Sequence, residues 1–91
     1  MNAKEMFKKL GYELYIRTPI KIEYKNVLDK GDVYISSIKE KHNNDALPKT
    51  ITFWNDLKCI DFEYGRKGSY LYLELLKAIN KQIEELGWNN E

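Results

Sequence analysis

Cysteine is almost missing from this chain, with one in 91 residues. That excludes an internal disulfide framework and a thiolate zinc site, and it fits a reducing compartment. Charge of one sign is missing as well. Fifteen Lys and Arg face fourteen Asp and Glu, a formal charge of +1, so no general electrostatic case exists for nucleic acid or an anionic membrane. No apolar run approaches the ~20 residues of a membrane span. Met1-Asn2-Ala3-Lys4 opens no signal peptide, and a cytoplasmic protein without membrane contact is expected. The length suits one domain over residues 1–91 and leaves no room for a second. What is present is apolar bulk. Apolar residues make up 43% and aromatics 13%, too rich in large side chains for a disordered chain. A charged fraction of 32% leaves the surface polar.

The chain opens with a short helix. Asn2 is a good N-cap, and Glu5 stands three residues on, where a capping-box side chain reaches back. Met6, Phe7 and Leu10 make one apolar stripe, and Leu10-Gly11-Tyr12 reads as a Schellman stop. A helix this short needs docking to persist.

Alternation with period two follows. Tyr12, Leu14 and Ile16 share a face, as do Ile20, Ile22 and Tyr24, with Pro19 at a bend between them. Asp29-Lys30-Gly31-Asp32 is a turn signature. It predicts a hairpin with Leu28 opposite Val33, Asn26 opposite Ile35, Tyr24 opposite Ser37 and Val27 opposite Tyr34. Residues 39–49 read as a polar loop in which nothing packs. A second hairpin then places Ile60 and Phe62 on the side of Ile51 and Phe53, turning at Asn55-Asp56. Residues 65–69 break the pattern.

The last element is an amphipathic helix with Leu73, Leu76, Ile79, Ile83 and Leu86 as its core stripe. Glu74, Lys77, Lys81, Glu84 and Glu85 face solvent as i, i+3 and i+4 pairs. Leu86-Gly87-Trp88 repeats the Leu-Gly-aromatic ending of the first helix. Tyr70-Leu71-Tyr72 is read equally as the end of a strand or as the start of this helix. The order predicts an α+β fold: an antiparallel sheet of four to five strands, with a short N-terminal and a longer C-terminal helix on one face. That face carries Leu14, Ile22, Ile35, Phe53 and Phe62, and Phe7, Leu10, Ile79 and Ile83 are buried against it.

The two ends, AKEMFKKLGYE from Ala3 and LKAINKQIEELGW from Leu76, resemble a group of small, uncharacterised phage and prophage proteins of low-GC Gram-positive bacteria. Thirteen Lys against two Arg, with eight Asn and nine Ile, agree with an AT-rich coding source. The resemblance implies this layout and a phage or prophage origin, and it transfers no catalytic residue. Where Ser or Thr is expected before the last helix, this chain has Tyr72.

Candidate chemistry is thin. Cys59 stands on a predicted strand and His42 in a predicted loop, so the thiol has no positioned base and reads as a small strand residue. His42, Asn43, Asn44 and Asp45 offer too few ligands for zinc and lack a calcium-loop spacing. Asp61 and Glu63 alternate with Ile60, Phe62 and Tyr64, as on a solvated sheet face. Gly65-Arg66-Lys67-Gly68-Ser69 has amides and cations for an anion site, against the plainer reading of a connection. A protein that is not an enzyme and needs no cofactor or metal is expected, working through a protein partner or its own copies. Parity places Tyr15, Tyr34 and Trp54 with Arg17, Lys21 and Lys25 on the sheet face away from the helices. Three readings compete there: rings covered by Lys and Arg stems, rings buried by a partner or second copy, or rings stacking on single-stranded nucleic acid. Glu13 and Glu23 on the same face dilute the positive field and favour protein over nucleic acid.

Overall fold

Local signals set both helix boundaries. In the computed structural model, which describes residues 1–28, 32–64 and 70–89, α1 (Ala3–Lys9) starts after Asn2, whose side chain accepts the Glu5 N–H at 2.8 Å. It stops at Gly11, where φ is +89°. A side chain there would be strained, and its Cβ would stand 2.5 Å from the Leu28 side chain. The second helix, α2 (Leu73–Glu85), ends by the same device. Gly87 has φ +75°, and the Trp88 N–H donates to the Ile83 carbonyl at 3.2 Å.

Between them run β1 (Tyr12–Arg17), β2 (Lys21–Asn26), β3 (Asp32–Ile35), β4 (Glu40–Asn43), a 3-10 turn (Asn44–Ala46), β5 (Thr50–Trp54) and β6 (Cys59–Glu63). Four of them form an antiparallel sheet in the order β1-β2-β5-β6, while β3 and β4 pair as a separate ribbon. The architecture is α+β, as the element order predicts. Phe7 of α1 stacks on Tyr24 at 4.0 Å and meets Tyr12 and Phe53 edge-on at 6.1 Å. Leu75, Ala78 and Ile79 of α2 complete the core. Glu85 accepts the Ala3 N–H at 2.6 Å and ties the two helices together. Phe7 and Ile79 are buried as expected, and Leu10 and Ile83 are half-buried against the same core. Among the described residues no helix is long and apolar enough to cross a membrane.

The β5–β6 hairpin forms with Ile60 and Phe62 on the side of Ile51 and Phe53, as expected; its register sets Ile51 opposite Phe62 and Phe53 opposite Ile60, around a four-residue turn at 55–58. The hairpin predicted between 24–28 and 33–37 does not form. β2 pairs with β1 and β5 instead, and β3 with β4; the Lys30-Gly31 turn lies outside the described residues. Burial explains the choice. The predicted register would set Tyr24 against Ser37 and Asn26 against Ile35. The observed one makes continuous apolar rows, Leu14–Tyr24–Ile51–Phe62 and Ile22–Phe53–Ile60.

Residues 39–49 are not an unpacked loop. They supply β4 and bury Asn44, Leu47 and Pro48. Asn44 Oδ1 accepts from Asn26 Nδ2 at 2.9 Å, and its Nδ2 donates to the Leu28 carbonyl. A polar side chain satisfied at both ends can be buried without penalty, which its residue type alone does not reveal.

The phase of α2 also departs from the expected stripe. Ile79 is core, but Leu73 and Leu76 are 51% and 40% exposed. Tyr72, Leu75, Ile79 and Gln82 face the sheet instead, a set with the same spacing of three and four. Tyr72 belongs to no strand: it is the N-cap of α2, with extended backbone and no capping bond from its side chain. Tyr70 N–H donates to the Ala46 carbonyl at 2.8 Å.

Candidate functional site

The sheet's outer face is built from alternate residues of the four strands, in rows set by the register. One row is Lys21–Trp54–Cys59, the next Ile16–Glu23–Thr52–Asp61, the third Glu13–Lys25–Thr50–Glu63. A β-bulge between Leu14 and Ile16 changes the parity of β1. Ile16 therefore leaves the inner face, and Arg17 pairs with Ile22 on it. Tyr15, 60% exposed at the bulge, lies under the Lys25 ammonium, 4.3 Å from the ring centre. Lys21 stands over Trp54 at 5.0 Å.

Of the six residues placed on this face by parity, Tyr15, Lys21, Lys25 and Trp54 are brought together. Arg17 is not, because the bulge turns it to the other side. Tyr34 is not, because β3 belongs to the separate ribbon. The two rings that remain are each covered by a lysine, a contact of about 0.5–1 kcal/mol at exposed sites. Glu13, Glu23, Asp61 and Glu63 outnumber the two lysines in these rows, and Thr52 donates to Glu23 at 3.3 Å. Such a field repels a phosphate backbone.

The Cys59 thiol and the His42 imidazole sit on different sheets. Cys59 is exposed at the start of β6. His42 lies half-buried in β4, its Nε2 3.3 Å from Glu40 Oε2 and its ring 4.7 Å from Tyr70. Among the described residues no group of three His, Cys, Asp or Glu could hold a metal. Asp61 and Glu63 are exposed on the outer face, and Glu63 accepts from Thr50 at 3.2 Å. The possible anion loop at 65–69 lies outside the described residues.

Three buried tyrosines carry the perturbed ionisations. Burial raises Tyr12 far above its ordinary value; its hydroxyl donates to the Pro48 carbonyl at 2.7 Å. Burial pushes Tyr24 up to about 12, with Glu85 adding and Arg17 opposing, and its hydroxyl donates to Gln82 at 2.6 Å. Burial, then Glu74, pushes Tyr72 up to about 12. Among the described residues, the Tyr72 hydroxyl and Gln82 Nε2 have no hydrogen-bond partner.

A second surface was missed by parity reasoning. Ile83 on α2 borders Ile60 and Cys59 of β6 in a groove that Trp88 also lines. Leu76 lies two turns earlier on the same flank of α2, with Leu73 beyond it. The signal was present in the sequence: α2 has more apolar residues than one helix face holds.

Fold and surface together define a two-layer α+β protein with an acidic outer sheet face and an apolar flank on its longer helix. No family model, curated protein or solved structure matches the chain.

Proposed function

We propose that the protein is a non-enzymatic phage or prophage accessory protein that acts in the host cytoplasm through protein contacts. One observation carries the protein-contact reading: Leu73 and Leu76 remain exposed on α2 although the opposite side of that helix already fills the core. Apolar side chains gathered on one flank mark interaction sites more often than scattered ones do. The phage origin rests on the resemblance at the two ends of the chain. A photo-crosslinking residue at position 76 should yield a protein adduct in cells expressing the chain, and one at position 15 should not. No adduct at 76 would retire the reading.

The Tyr15–Lys25 and Trp54–Lys21 pairs favour a second reading, single-stranded nucleic acid on the outer face. The four carboxylates in the same rows oppose it. Oligonucleotide binding at low salt that is lost in Trp54→Ala would establish it.

A further inference from the structure

The sheet ends at β6, and among the described residues no strand pairs with its outer edge. Open edges are usually blunted by charge, a bulge or a cover. β1, at the opposite edge, has its bulge. β6 has Asp61 and Glu63, whose cross-strand neighbours are the uncharged Thr52 and Thr50. Beyond Thr52 lies Glu23, another acid, and beyond Thr50 lies Lys25, whose ammonium sits over the Tyr15 ring. On the inner side of β6, Ile60 and Phe62 are only half-buried. α2 runs beside them in the opposite sense: Tyr70, just before it, is tied to Ala46, before β5, and Trp88, just beyond it, to Asn55, after β5. Ile83 therefore lies by Ile60, and Leu76 lies further along toward Phe62.

Resting on the protein-contact reading above, we propose that the β6 edge accepts an extended segment of a partner protein in which basic and apolar residues alternate. The added strand would continue the sheet by main-chain hydrogen bonds. Its apolar residues would lie beside Ile60 and Phe62, under Leu76 and Ile83. Its basic residues would stand opposite Asp61 and Glu63. Charge selects this occupant over a second copy of the chain. An antiparallel two-fold pairing of β6 centred on Asp61 sets that carboxylate against itself, and like charges directly opposite each other are destabilising.

The test uses the full isotope-labelled chain and two blocked seven-residue peptides, one alternating lysine with isoleucine and valine, the other glutamate with the same residues. The lysine peptide should shift the amide signals of Cys59–Glu63 and of Leu73, Leu76 and Ile83, and should bind at least about tenfold more tightly than the glutamate peptide. Asp61→Lys with Glu63→Lys should reverse that preference, and Leu76→Gln should weaken binding with the spectrum otherwise intact. Equal binding of both peptides, shifts centred on Tyr15 and Trp54, or no shifts at all would overturn the proposal. So would a dimer that Leu76→Gln dissociates, since that gives the surface to a second copy. Failure here with an adduct at position 76 leaves the protein-contact reading standing; failure of the adduct removes both.

Discussion

The four-stranded sheet and the β3–β4 ribbon both come from alternating sequence, yet they stand differently in the fold. In the sheet, Ile22, Tyr24, Ile51 and Phe53 are all buried beneath two helices. In the ribbon, Ile35 is buried and Val33 is half-buried, while Tyr34 is 58% exposed. The ribbon is held at its rim by polar contacts, such as Ser37 Oγ donating to Glu74 at 3.1 Å. Alternation creates a strand, but the choice of partner follows the longest apolar rows that can be closed. β2 closes such rows with β1 and β5. β3 spans four residues against six in β2, and it pairs with the polar β4.

The largest expected effect lies under the sheet. Ile79→Asp places an unpaired carboxylate in the core at a cost of several kcal/mol, against a total stability of about 5–15 kcal/mol. Circular dichroism should show an unfolded chain, and a variant with unchanged melting would refute the two-helix layout. The junction between sheet and ribbon is the next test. Asn44→Ala removes the partner of Asn26 and of the Leu28 carbonyl, which should cost about 1–3 kcal/mol. Hydrogen exchange should then accelerate in β3 and β4 before β2 and β5; equal acceleration would mean the two regions unfold as one.

Alkali should also act on the sheet side. Tyr24 and Tyr72 are raised from 10.0 to about 12 in the folded chain. Their contribution is complete below pH 10. Between pH 10 and 12 the unfolded chain ionises first, so stability falls as pH rises. Thermal melting against pH should show this loss, and Tyr72→Phe should reduce it. At neutral pH the same variant should melt unchanged or slightly higher, because the hydroxyl it removes is buried without a partner among the described residues. The smallest effect is expected at Cys59→Ser, within about 0.5 kcal/mol at an exposed position. Loss of a cellular activity in that folded variant would reopen an enzymatic role.

Signals that act within a few residues were legible. Asn2, Gly11 and Gly87 set helix ends through bonds to neighbouring amides and carbonyls. The turn expected at Asn55-Asp56 falls where the β5–β6 hairpin does turn, over residues 55–58, because its two strands are only a few residues apart. The partners of β2 were not legible, because proximity along the chain favoured β3 while burial favoured β5. Of the six outer-face residues, four were placed correctly. Arg17 was lost to a one-residue bulge and Tyr34 to a change of sheet, both invisible to parity counting. The flank of α2 was missed because a stripe of three- and four-residue spacings fits two adjacent helix phases.

By itself, the sequence determined that two helices bracket a set of short antiparallel strands, where the helices end, and that the middle of the chain alternates. Those are consequences of backbone conformation and of the periods of helix and strand, which a few neighbouring residues set. Tertiary structure decided which strands pair, which side of α2 enters the core, and which apolar residues are left outside. Those choices depend on apolar contacts between segments far apart in the chain. No local stretch contains the information needed to make them.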